Sequence, residues 1–121
     1  MTVQTLEQQR ARDAWEKSGA GVRKFGKEYV NLSKSLPALV MNVGLMQVMA
    51  FLHQKGDRVH LQIAGDLRAW LHGRYGTPEG FETFMEAMLD VEPTRYQSVT
   101  TETFAWLKWL RQMAAARQRT T

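Results

Sequence analysis

Residues 5–34 read TLEQQRARDAWEKSGAGVRKFGKEYVNLSK, and the spacing within them decides the fold. Ala11, Ala14, Trp15, Ser18, Val22, Phe25, Tyr29 and Leu32 recur mainly at steps of three and four. That interval lines one face of an α-helix. Thr5 and Gln8 have the spacing of a capping box, in which hydroxyl and amide each satisfy an orphan backbone N–H. The phase runs through Gly19 and Gly21 without slipping, although each interior glycine costs about 1 kcal/mol relative to alanine. The spacing predicts one long helix over residues 5–34, bent near residues 19–21.

The same period continues downstream. Residues 36–52 carry no charge. A membrane span needs roughly 20 apolar residues, and this stretch contains Pro37, Asn42, Gly44 and Gln47. It is therefore expected to be a helix buried in protein, started by Pro37, split by Gly44 and ended by Gly56. Asp57 can cap the next helix, with Ile63, Leu67, Trp70 and Leu71 inward and an end near residues 73–76. Thr77-Pro78 reads as a helix start, followed by a stripe of Phe81, Phe84, Met85, Met88 and Leu89. Pro93 is expected to stop that helix. A turn over residues 95–98 then leads to a last helix from about Thr100, carrying Phe104, Trp106, Leu107, Trp109, Leu110 and Met113. Residues 117–121 are expected to fray. The expectation is one all-α domain over residues 1–121, a bundle of five to six helices with a long N-terminal one.

Composition bounds the chemistry. The chain has 121 residues, of which 44% are hydrophobic and 23% charged, with no cysteine. Disulfides, thiolate metal sites and cysteine nucleophiles are excluded, which suits a reducing compartment such as the cytoplasm. The first residues hold Glu7, Arg10, Arg12 and Asp13 rather than an apolar block, so no signal peptide is expected. His53, His60 and His72 lie in no metal-ligand spacing. No serine sits in a nucleophile elbow, and Gly19 and Gly21 lie within a helical phase rather than in a phosphate-cradling loop. No catalytic residue, metal or cofactor is expected. Trp15, Trp70 and Trp106 fall on apolar faces, leaving Trp109, beside Lys108, as the exposed tryptophan.

Charge is distributed in blocks. The net charge is +4. Residues 17–34 hold Lys17, Arg23, Lys24, Lys27 and Lys34 against Glu28 alone. Residues 79–92 hold Glu79, Glu82, Glu86, Asp90 and Glu92 with no base, and residues 108–121 hold Lys108, Arg111, Arg117 and Arg119 with no acid. At about 100° per residue, Arg12, Arg23, Lys27 and Lys34 share one flank, and Lys108, Arg111 and Arg119 share another. Such stripes suit a phosphate backbone, which needs charge along a line. They also suit a plain solvated face or an acidic protein surface. The acidic segment could dock on a basic face, including that of a second copy in a head-to-tail stack.

Several landmarks occur together in order. They are Leu6-Glu-Gln-Gln-Arg10-Ala11, Leu36-Pro37 followed by Gly44-Leu45, Ala50-Phe51-Leu52, Tyr96, Thr101-Glu102 and Ala105-Trp-Leu-Lys-Trp-Leu-Arg111. Over nearly the full chain the sequence resembles the small subunits of the Cmr complex, the type III-B CRISPR effector. The resemblance implies an all-helical, non-catalytic subunit that stacks in an inner filament along the guide–target RNA duplex. Its implied partners are guide and target RNA, the large and backbone subunits, and further copies of itself. On that footing Arg23, Lys27, Lys34, Lys108, Arg111 and Arg119 are the candidates for RNA-backbone contact. Glu79, Glu82, Glu86 and Asp90 are the candidates for subunit contact. The alternative is a helical protein–protein adaptor that never touches nucleic acid.

Overall fold

A computed structural model of the chain describes residues 3–120. Among these the order is α1 (Leu6–Phe25), α2 (Lys27–Val43), α3 (Leu45–Lys55), α4 (Arg58–Tyr75), α5 (Phe81–Asp90) and α6 (Pro93–Thr120), with no strand. All six helices contribute to the hydrophobic core, whose largest fully buried side chains include Trp106, Tyr29, Phe84 and Leu36.

Thr5 caps α1 as its spacing predicts. Its Oγ1 accepts from the Gln8 amide at 3.0 Å, and its own N–H donates to Gln8 Oε1 at 2.8 Å. The expected continuous helix over residues 5–34 does not form. The chain breaks at Gly26, whose φ of 59° and ψ of −131° close α1 and open α2. Positive φ is a conformation that an L side chain rarely adopts, and glycine enters it freely. The residues expected to bend, Gly19 and Gly21, lie inside regular helix, and both are buried. Their role is close approach. The Arg117 guanidinium covers Gly19, and the Tyr29 ring lies against Gly21.

A methyl group at Gly21 would fall well inside contact distance of three Tyr29 ring carbons. That ring is fully buried, and its hydroxyl is tied to Asp66. Gly21→Ala is therefore expected to destabilise by about 1–3 kcal/mol, as overpacking of a core does. A denaturant melt should show the loss despite the gain in helix propensity.

Other boundaries also differ from expectation. Pro37 does not start a helix; it lies buried inside α2. Gly44 separates α2 from α3, and Gly56 ends α3, as expected. Asp57 caps α4, its Oδ1 accepting from the His60 amide at 3.0 Å. Thr77-Pro78 lies in a connection, and α5 starts after Gly80. That connection is held by Arg68 Nε, which donates to the Glu79 carbonyl at 2.6 Å. The last helix starts at Pro93 rather than near Thr100, with proline at the first helical position. It continues to Thr120, so residues 117–120 extend the helix instead of fraying; Thr121 lies outside the described residues.

The packing centres on α6. Arg10 meets Glu102, Asp13 meets Trp106, and the Trp15 carbonyl accepts from Arg117. Numbers rise together on both helices, so α1 and α6 run parallel. Helix α2 packs along α6, and just past its end the Met46 amide of α3 donates to the Tyr96 hydroxyl at 3.4 Å. Helix α4 runs antiparallel to α6, with Trp70 on Glu102 and Tyr75 on the Ser98 carbonyl. Helix α5 packs chiefly on α3.

Candidate nucleic-acid interface

The charges divide into a paired inner set and a free outer set. The inner set ties α1, α4 and α6 together. Glu102 is 3% exposed and accepts from Arg10 through two bonds of 2.7 Å, from Nε and Nη2. Its Oε2 also accepts from Trp70 Nε1 at 3.1 Å. The hydrogen bond to Glu102 holds the Arg10 guanidinium above its ordinary pKa. Asp13 Oδ2 accepts from Trp106 Nε1 at 2.8 Å and from Lys17 Nζ at 2.9 Å. Asp66 accepts from Tyr29 Oη at 3.2 Å and Gln62 Nε2 at 2.9 Å. Burial pushes the Asp66 carboxyl up, and burial likewise pushes the Tyr29 hydroxyl up. These groups satisfy one another within the bundle, which is what buried charge requires.

The outer set contains every RNA-backbone candidate of the sequence. Arg23 lies near the end of α1, Lys27 and Lys34 on α2, and Lys108, Arg111 and Arg119 on α6. All six are exposed, and none forms an ion pair among the described residues. Because α1 and α2 both pack on α6, three basic helices adjoin. Lys27 and Lys34 share one flank of α2, and Glu28, Asn31, Leu32 and Ser35 on the adjoining flank line a cleft with Asp57 and His60. Lys108 Nζ stands 4.8 Å from the Phe104 ring centroid.

The four acidic candidates Glu79, Glu82, Glu86 and Asp90 are exposed. They lie on or just before α5, away from the α1–α2–α6 group. Leu89, expected on the inner stripe, is 71% exposed among them.

The tryptophans exchange roles. Trp15 is 43% exposed and Trp109 is half-buried, lining a groove with Glu7, Arg10 and Lys108. Trp15 sits at the edge of the α1 stripe, where the Arg117 guanidinium stacks 3.3 Å from its ring centroid. The histidines serve local structure: His53 stacks on Phe81, His60 contacts Asp57, and His72 meets the Thr77 carbonyl. Among the described residues no group of three or more histidine or carboxylate side chains could hold a metal ion, and no helix is long and apolar enough to cross a membrane.

Sequence reasoning missed one feature. Arg74 and Arg95 belong to neither basic block, yet they stand 5.6 and 4.7 Å from the Tyr75 ring centroid. Isolated arginines this far apart in sequence leave no local signal; only the antiparallel pairing of α4 with α6 brings them together.

Fold and charge together define a small all-α protein whose free charge is sorted by helix. A crystal structure of a CRISPR-associated Cmr5 family protein from Thermus thermophilus has this architecture. It matches with a TM-score of 0.79 at 27% identity, covering 94% of this chain and 97% of that one. The CRISPR system Cmr subunit Cmr5 of Thermus thermophilus is 30% identical over 115 residues, covering 94% of this chain and 96% of the relative. The family model for CRISPR-associated protein Cas_Cmr5 matches residues 6–117, and the chain belongs to that family.

Proposed function

We propose that this chain is a non-catalytic small subunit of a type III-B CRISPR (Cmr) ribonucleoprotein effector in the cytoplasm. Copies of it stack as an inner filament along the guide–target RNA duplex, beside the large and backbone subunits. Family membership supports assignment to the complex. The observation that carries the RNA contact is the group of six exposed cations on three adjoining helices, with acidic α5 packed elsewhere. A row of free cations reads backbone charge and carries no sequence information. Specificity then comes from guide pairing, as in other RNA-guided effectors. Exposed Glu79, Glu82, Glu86 and Asp90 can meet the basic face of a neighbouring copy, a heterologous contact that propagates.

The test is charge reversal at Lys27, Lys34, Lys108 and Arg111 within the assembled complex. Target-RNA binding should weaken, most at low salt. For duplex contacts the slope of log K against log salt should shrink by up to about 0.9 per lost phosphate contact. Unchanged affinity and slope would remove the RNA role. Failure of bound RNA to crosslink to the chain, with assembly intact, would favour the adaptor role instead.

A further inference from the structure

Beside the basic stripe lies a polar cleft of about 430 Å³ between the start of α1, the end of α4 and the start of α6. Arg74, Tyr75, Thr94, Gln97, Ser98 and Thr101 line it. The last four recur at i, i+3, i+4 and i+7, so one face of α6 presents three hydroxyls and an amide. The Tyr75 hydroxyl donates to the Ser98 carbonyl at 3.2 Å, and Arg95 Nη2 donates to the Tyr75 carbonyl at 3.3 Å. The Tyr75 ring thus carries two guanidinium groups: that of Arg74, which lines the cleft, and that of Arg95, which does not line it but is held over the ring of a residue that does.

The charge balance here is positive. Glu102 reaches the cleft, but Arg10 holds its carboxylate by two bonds. Arg74 and Arg95 are exposed and have no carboxylate partner among the described residues. The backbone N–H groups of the first turn of α6 add positive potential.

The cleft also continues the candidate interface. Arg10 lines both it and the neighbouring groove that holds Glu7, Lys108 and Trp109. From Lys108 to Thr94 along α6 is about 21 Å. A strand following the basic residues of α6 towards its start would therefore enter the cleft.

We propose that this cleft binds a phosphate of single-stranded RNA, with Arg74 and Arg95 as its charged ligands. The inference rests on the RNA reading above and adds a contact for an unpaired strand. A concave cleft of this volume suits one nucleotide, whereas a duplex suits the convex helix faces. The guanidinium plane over Tyr75 is a surface on which a base can stack. The hydroxyls of Thr94, Ser98 and Thr101 can meet ribose hydroxyls and phosphate oxygens.

The test is an NMR titration of the full chain with a short single-stranded oligouridylate, and in parallel with adenosine monophosphate. The oligonucleotide should shift the amides of residues 74–75 and 94–101. In R74Q/R95Q those shifts should be lost, and the slope of log K against log salt should fall by about 0.7, the value for one single-strand phosphate. Because Arg95 also bonds the Tyr75 carbonyl, R74Q alone is the second variant, with a slope change in the same direction and no larger than that of the double variant. Shifts confined to α2 and residues 108–119, unaffected by either variant, would overturn the cleft and leave the stripes. No shift anywhere would overturn the cleft, while the stripes stand or fall on charge reversal in the assembled complex. Binding of the mononucleotide as tight as that of the oligonucleotide would overturn the strand as occupant.

Discussion

Arg10→Met should lower unfolding stability by about 3–5 kcal/mol, the range for removing one partner of a buried ion pair. The asymmetry of the pair sets the direction. Glu102 is 3% exposed and Arg10 22%. Without Arg10, the buried carboxylate keeps only the Trp70 indole N–H as a side-chain partner. Without Glu102, the half-buried guanidinium can turn to water, so Glu102→Leu should lose less than Arg10→Met. The double variant R10M/E102L should recover much of the single loss, because replacing both partners by apolar groups is often close to neutral. Urea denaturation of the four proteins gives the cycle. A loss in Arg10→Met no larger than in Glu102→Leu would contradict this asymmetry, and no recovery in the double variant would contradict coupling of the pair.

Trp106→Ala should lose a similar amount, about 3–5 kcal/mol, for a different reason. Trp106 is fully buried at the centre of α6, and its removal leaves a large cavity. It also removes the 2.8 Å bond from Nε1 to Asp13. Asp13 keeps Lys17, at 2.9 Å, so its carboxylate is not stranded. Trp106→Phe should therefore recover most of the packing and lose chiefly the hydrogen bond, about 1.5–3 kcal/mol for a charged acceptor. Denaturant midpoints at unchanged slope would check both values. Equal losses for Phe and Ala would mean that the indole N–H, rather than its volume, holds α1 to α6.

Helix type and core were legible because period is a local property. The inward residues Ile63, Leu67, Trp70 and Leu71 are all buried where spacing places them. Gly26 escaped notice because a one-residue link leaves the stripe in step: Tyr29 is buried and Leu32 partly so, in phase with α1. Gly19 and Gly21 misled for the converse reason, since what they accommodate, Arg117 and Tyr29, comes from other helices. The first two turns of α6 were missed because Thr94, Arg95, Gln97 and Ser98 face outward, leaving Tyr96 and Val99 as the only apolar marks. Charge blocks were legible as runs, and the six outer cations are exposed as that predicts. Glu102 showed nothing of its burial, because its partners lie 92 and 32 positions away.

The parallel pairing of α1 with α6 also bears on how the chain is made. Its contacts join positions 92 and 93 apart in sequence, and closing so long a loop is an entropic cost met before any contact forms. During synthesis the N-terminal segment leaves the ribosome first. The inner face of α1 must then wait, with Arg10 and Asp13 lacking their α6 partners, until residues 102–106 emerge. Local pairs such as α3 with α4 can form early. Completion of the bundle belongs to the final helix, so a chain stalled before Pro93 would present an uncovered apolar face to chaperones and proteases.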